Sequence, residues 1–222
     1  MNSMDQETLK KAVAKAALDQ VPEKCFLGIG SGSTMVHFIQ QLSAVRAKIE
    51  GCVPSSNKVA ELLRAQNLPV MELTAVPEVH VYFDSADACN ANKELIKGGG
   101  GALTREKIIA TAAMQFVCLL DETKLGKRFL EIPIPVEVIP MARSMVAQTI
   151  VKLGGRPSLR ERYTTDNGNL ILDVDGFPLT HPLELERSLK SMIGVVESGI
   201  FAQTRPNKIL VANSDLSITV LD

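Results

Sequence analysis

Two carboxylates stand three residues apart, Asp84 and Asp87, at the end of the strand-like run Val79-His80-Val81-Tyr82-Phe83. Ten residues after Asp87 comes Lys97, which leads into the four glycines Gly98 to Gly101. A helix is expected to open at Thr104, with Glu106 in its first turn. Carboxylates can carry protons, a lysine can hold a developing negative charge, and glycine N–H groups can cradle an anion. Together they read as an active site assembled at the carboxyl end of a strand. Each feature alone has a plainer explanation, since glycine runs connect elements and an acid in a first helical turn answers the helix dipole. Their concentration between Asp84 and Lys107 is what argues for chemistry.

A second candidate is the loop Gly28-Ile29-Gly30-Ser31-Gly32-Ser33-Thr34. A dinucleotide fingerprint fails here, because the place of its third glycine is Ser33. A phosphate loop of the Walker type fails too, since no Gly-Lys-Ser/Thr follows. What remains is a short Gly/Ser/Thr loop opening onto a helix. It suits either a phosphate on free N–H groups or a plain helix cap. His37, His80 and His181 are unclustered and are read as structural, with no metal site or nucleophilic relay on any of them.

The 222 residues are enough for one large domain or two small ones, and can bury roughly 70% of the unfolded surface without staples. A net charge of −1, two tyrosines and no tryptophan make no case for nucleic acid. The four cysteines, Cys25, Cys52, Cys89 and Cys118, show no metal-ligand spacing. Cys25, Cys52 and Cys118 sit in apolar runs and read as buried, reduced thiols. The chain begins as a polar helix rather than a signal peptide, and no apolar run approaches membrane-spanning length. A cytoplasmic setting is expected.

The elements that must position these residues alternate. Residues 5–20 read as an amphipathic helix, 25–29 as a strand, 34–42 as a helix, 50–54 as a strand and 57–67 as a helix capped at Ser55–Ser56. Strands are expected at Val70–Glu72, Val79–Phe83 and Phe116–Leu120, with a helix over 104–114. Alternation of this kind means α/β architecture on a parallel sheet, with ligands beyond the carboxyl ends of strands. From Pro133 the order is β-α-β-β-α-β, the ferredoxin-like split motif. Its strands are placed at Val136–Ile139, Arg160–Thr165, Leu170–Asp173 and Gly194–Phe201, and its helices at 142–153 and 182–192. Asn167-Gly168 is the hairpin turn. Two short strands follow in Lys208–Asp222.

With these residues in view, the chain resembles the type A ribose-5-phosphate isomerases. That family carries D-G-A-D, K-G-G-G and A-L-T-R-E-K at this spacing. Here they stand as Asp84-Ser85-Ala86-Asp87, Lys97-Gly98-Gly99-Gly100 and Ala102-Leu103-Thr104-Arg105-Glu106-Lys107. The resemblance runs nearly end to end, through the Gly28–Thr34 loop, Pro133-Ile134-Pro135-Val136-Glu137-Val138-Ile139-Pro140, Leu153-Gly154-Gly155-Arg156-Pro157 and Thr165-Asp166-Asn167-Gly168-Asn169. It implies a Rossmann-like parallel sheet domain of residues 1–130 with 203–222, and an inserted ferredoxin-like α+β domain of residues 131–202. It also implies interconversion of ribose 5-phosphate and ribulose 5-phosphate through an enediolate, in the non-oxidative pentose phosphate pathway, by a homodimer. Neither metal nor organic cofactor is implied.

On that resemblance Glu106 is the general base, while Lys97 and the amides of Gly98, Gly99 and Gly100 stabilise the enediolate. Asp84 and Asp87 bind sugar hydroxyls and assist ring opening or proton transfer between oxygens, with Ser85 and Ala86 between them against the substrate. Ser31, Gly32, Ser33 and Thr34 hold the substrate by its phosphate, and Lys124 binds it from Asp121-Glu122-Thr123-Lys124. Four positions depart from the family pattern: Ser85 for glycine, Ala88 for glutamate, Ser31 for threonine and Gly101 for alanine. A glycine at position 85 would answer either a positive φ or a close approach of substrate. Two other readings compete. A sugar-phosphate deaminase or lactonase of related fold would lack the K-G-G-G and T-R-E-K run. A non-enzymatic sugar-phosphate sensor would need a DNA-binding module, for which the residues before the first strand are too few.

Overall fold

The computed structural model describes residues 3–126, 129 and 131–222. In chain order the elements are α1 (Ser3–Ala17), β1 (Cys25–Ile29), α2 (Ser33–Gln41), β2 (Ile49–Pro54), α3 (Asn57–Ala65), β3 (Val79–Ser85), β4 (Ala88–Cys89), β5 (Leu95–Ile96), α4 (Leu103–Ala112), β6 (Ala113–Asp121), β7 (Ile134–Val138), α5 (Arg143–Lys152), β8 (Arg156–Leu159), β9 (Leu170–Asp175), α6 (Pro182–Lys190), β10 (Val195–Ser198), β11 (Ile200–Phe201), β12 (Lys208–Ala212) and β13 (Ile218–Leu221). They form two compact units. The first comprises Met1–Ala86, Arg105–Lys124 and Pro206–Asp222; the second comprises Asp87–Thr104 and Leu125–Arg205.

The first unit is built on a sheet of order β2-β1-β3-β6-β12-β13. Its strands are parallel except for β13, which returns antiparallel to β12. Apolar runs such as Cys25-Phe26-Leu27 and Val117-Cys118-Leu119 suit strands covered on both faces. Leu9, Val13 and Ala17 of α1 and Met35, Phe38 and Ile39 of α2 pack into the same core as Leu27 and Ile29. Each fully buried leucine or isoleucine contributes about 1.5–3 kcal/mol. Ser56 Oγ accepts from Val59 N at 3.2 Å and caps α3, as its position predicts. Counted along the chain, the parallel strands follow the 2-1-3-4-5 order of doubly wound sheets. The switch point falls between β1 and β3, where connections leave to opposite faces and open a crevice. Both the Gly30–Ser33 loop and Asp84 lie at that point.

One expected strand of this unit is absent. Of Val70–Glu72, only Val70 bridges to Cys52. Pro69 supplies no donor, and the chain turns into a 3-10 helix at Leu73–Ala75, so the apolar run is too short to propagate a ladder.

The second unit contains a four-stranded antiparallel sheet of order β10-β7-β9-β8, crossed by α5 and α6 in the sequence order β-α-β-β-α-β. This is the split ferredoxin-like arrangement, with Val136, Val138, Val146, Ile150, Leu172, Val174 and Leu189 in its core. A small second sheet pairs β11 with β5 and β5 with β4. Three expectations change here. The strand placed at Arg160–Thr165 lies instead at Arg156–Leu159, on the sheet edge, where Pro157 is tolerated. The Asn167-Gly168 turn forms, with Gly168 at φ +80° and its N–H on Thr165 O, but it tips a longer loop rather than a tight hairpin.

The strand expected at Gly194–Phe201 breaks at Gly199 into β10 and β11, which join different sheets. Gly199 donates to Pro135 O and accepts from Lys97 N, and a Cβ there would stand 2.1 Å from Lys97 O. Residues 87–104 belong with the second unit because β4 and β5 pair with β11. The boundary expected at residue 130 falls on a residue outside the described ones. The final strands β12 and β13 do return to the first sheet.

Candidate active site

In the first unit, four of the expected residues converge where β1 and β3 end. Gly30 N donates to Phe83 O at 2.8 Å, and a Cβ on Gly30 would lie 1.9 Å from Asp84 Cγ, so only glycine lets the carboxylate sit over this turn. Asp84 is fully buried. Its Oδ1 accepts from Ser85 N at 2.7 Å, and its Oδ2 accepts from the Tyr82 hydroxyl. Burial pushes the Tyr82 phenol well above its ordinary pKa, and the neighbouring carboxylates of Asp84 and Glu106 add to the rise. Tyr82 therefore remains a protonated donor to Asp84.

Glu106 is 2% exposed, and its Oε1 accepts from Ser31 Oγ at 2.6 Å. Ser85 Oγ in turn donates to Ser31 O at 3.3 Å. Ser85 has no positive φ, so a side chain at this position carries no left-handed strain. Gly32 does, at φ +106°; it begins α2 without a side-chain cap and brings Ser33 and the buried Thr34 into the first turn. The amides of such a turn, with the helix dipole behind them, favour an anion. Lys124 closes the 3-10 turn Glu122–Lys124 after β6. Asp121 fixes that turn, accepting from Thr123 N at 3.0 Å and from Thr123 Oγ1.

The second unit carries the glycine loop. Lys97 is 2% exposed, with Nζ 5.5 Å from the centre of the Phe201 ring. Gly99 N donates to Asp87 Oδ2 at 2.8 Å, so that aspartate touches the loop directly. Gly98 and Gly101 have φ of +100° and +83°, and Gly101 N donates to Gly98 O, closing a tight turn. A Cβ at Gly101 would come within 2.0 Å of Tyr163 Oη, which accounts for glycine in place of the family's alanine here. Thr104 Oγ1 donates to the buried Glu137, which also accepts from Thr165 Oγ1 and the amides of Asn167 and Asn169. The Pro-Val-Glu-Val and Thr-Asp-Asn-Gly-Asn segments thus share one polar cluster.

Sequence reasoning did not single out Tyr82, Glu137, Arg160, Tyr163 or Asp173. Tyr82 was within reach of it, since residues i and i+2 of a strand share a face. Of the others, Arg160 and Tyr163 bond the glycine loop, Asp173 holds Arg160 and Glu137 holds Thr104, all from segments distant in sequence. Of the histidines, His37 pairs with Glu7 at 2.8 Å, and His80 Nδ1 accepts from Phe26 N. Among the described residues, no three His, Cys, Asp or Glu side chains are grouped so as to hold a metal ion.

A doubly wound sheet bearing a buried carboxylate at its switch point, with a lysine and a glycine loop following in sequence, has the equipment of an enzyme that moves protons and stabilises an oxyanion. The comparisons narrow this. A family model of ribose 5-phosphate isomerase A (phosphoriboisomerase A) matches residues 51–216, and the chain belongs to that family. It is 52% identical to the ribose-5-phosphate isomerase A of Legionella pneumophila (strain Philadelphia 1) over 93% of this chain and 95% of the relative. The solved ribose 5-phosphate isomerase A of Neisseria gonorrhoeae superposes with a TM-score of 0.94 at 41% identity, covering 97% of this chain and 96% of that one. A ribose-5-phosphate isomerase solved with phospho-erythronic acid superposes at 0.92 with 33% identity, over the whole of both chains.

Proposed function

We propose that this chain interconverts D-ribose 5-phosphate and D-ribulose 5-phosphate through an enediolate, as a step of the non-oxidative pentose phosphate pathway. The observation that carries the reading is the buried Glu106 carboxylate, oriented through Oε1 by Ser31 Oγ at 2.6 Å. In the aldose-to-ketose direction Glu106 takes the proton from C2, the electron pair of that bond enters a C1–C2 double bond, and charge gathers on O1. The same carboxylate returns the proton to C1 as the C2 carbonyl forms. Lys97 and the glycine amides stabilise the oxyanion, and Asp84 and Asp87 hold hydroxyls and pass the proton between oxygens. The turn Ser31–Thr34 holds the phosphate and Lys124 binds the substrate beside it, with Ser85 and Ala86 lining the sugar.

The sensor and the deaminase or lactonase readings are disfavoured, because relatives aligned over nearly the whole chain are isomerases. A cytoplasmic homodimer completes the proposal. Among the described residues no helix is long and apolar enough to cross a membrane. Met141 and Ile193 are 96% and 85% exposed on the second unit, and Ile139 N bonds Gly194 O between them, a patch suited to a second copy. The direct test is conversion of ribose 5-phosphate to the ketose by the purified chain; no turnover by the folded protein sinks the reading.

A further inference from the structure

Four glycines in succession have more conformational freedom than any other sequence, so the direction of their peptide groups must be imposed from outside. In the second unit one side chain, Arg160, holds two of the four glycine carbonyls. Arg160 Nη1 donates to Gly98 O at 3.1 Å and to Gly99 O at 3.2 Å. Its Nε and Nη2 are committed to Asp173, at 2.8 and 2.5 Å, in a two-pronged ion pair. The ring of Tyr163 lies 5.5 Å from the guanidinium carbon, and its hydroxyl donates to Gly100 O at 3.0 Å.

In a trans peptide the C=O of one residue and the N–H of the next point to opposite sides. With both carbonyls turned to Arg160, the amides of Gly99 and Gly100 face away from it. The Gly99 amide does so visibly, meeting Asp87. A charged donor on a carbonyl also polarises its peptide group and strengthens the N–H as a donor.

We propose that Arg160 is a positioning residue for the isomerisation: anchored by Asp173, it fixes the peptide planes after Gly98 and Gly99 so that the glycine amides stay aligned for the developing oxyanion. Only a guanidinium fork can hold the carboxylate with one edge and two carbonyls with the remaining nitrogen; a lysine ammonium offers no such plane. The inference rests on the isomerase reading, in which the loop amides serve the enediolate.

The test compares Arg160→Lys with the parent by kcat, KM, inhibition by phospho-erythronic acid, binding of inorganic phosphate and melting temperature. A preorganised oxyanion donor is worth on the order of 10²-fold in rate, so kcat should fall by about that factor with KM little changed. Inhibition by the aldonic acid, whose carboxylate stands in for the enediolate, should weaken in step with kcat, while phosphate binding holds. Should Arg160→Lys fail to fold, Asp173→Asn loosens the anchor alone and should move kcat and inhibition in the same direction. Parental kcat and inhibition in either folded variant overturn the inference, as does a fall in phosphate binding equal to that in kcat. Inactivity of the parent chain would sink the isomerase reading instead, so the two failures are distinguishable.

Discussion

In the proposed isomerisation one carboxylate, Glu106, carries the proton, and its Oε1 accepts from Ser31 Oγ. Glu106→Gln keeps the shape and can still accept the serine hydroxyl, but it lacks a basic oxygen. General-base catalysis is typically worth about 10²–10⁴-fold, so kcat should drop at least about 10²-fold with the melting temperature near that of the parent. Near-parental kcat in the folded variant would remove Glu106 from the mechanism. Ser85→Gly tests the departure beside it. Because Ser85 has no positive φ, glycine relieves no strain. It removes the bond to Ser31 O and adds freedom to the unfolded chain. A loss of stability on the order of 1 kcal/mol is expected in urea unfolding. A gain would mean that strain is present after all.

At the scale of elements, the glycine loop and the first residues of α4 are braced by the β8–β9 connection. The buried Glu137 gathers Thr104, Thr165, Asn167 and Asn169, so the Thr-Asp-Asn-Gly-Asn turn serves a distant helix start as well as its own strands. Asn169→Ala removes the donor 2.8 Å from Glu137 Oε1 and leaves that oxygen with fewer partners in a buried place. A loss of about 1–3 kcal/mol is expected in chemical denaturation. Unchanged stability would show that the cluster rearranges without cost. The sequence placed a strand where this connection is a loop, because Tyr163, Thr164 and Thr165 are residue types that favour strands. The ladder ends when Arg160 N reaches Ile171 O, and the Arg160 side chain then turns to Asp173 and the glycines.

At the scale of the molecule, two properties can be measured without substrate. Burial pushes the thiols of Cys25 and Cys89 up to about 11 and that of Cys52 to about 12, against an ordinary 9.0. Folding therefore favours the protonated thiols. The stability they contribute is complete below pH 9 and is lost as the pH climbs through the raised values. The melting temperature should decline above about pH 9, and a thiol reagent at neutral pH should label the cysteines only after unfolding. Rapid labelling of the native protein would contradict the burial. The second property is association. Met141→Lys combined with Ile193→Lys should convert the proposed dimer to a monomer in light scattering, since charges on an exposed apolar patch oppose its burial. A parent that is already monomeric removes the patch as an interface.

Sequence by itself determined the alternation of strands and helices, the split ferredoxin-like order and the residues that mark the family. Those signals are local: periodicity, caps and glycine spacing are written within a turn or a strand of each other. Tertiary structure decided what lies far apart along the chain. It set β3 between β1 and β6, which makes the end of β1 a switch point. It brought Ser31 onto Glu106 and turned Tyr82 onto Asp84 in a buried place where both must be satisfied. It also broke the strand expected over Gly194–Phe201 at Gly199, because the Lys97 carbonyl passes too close for any side chain. Pairing between distant segments depends on which surfaces can be buried together, and no window of sequence carries that information.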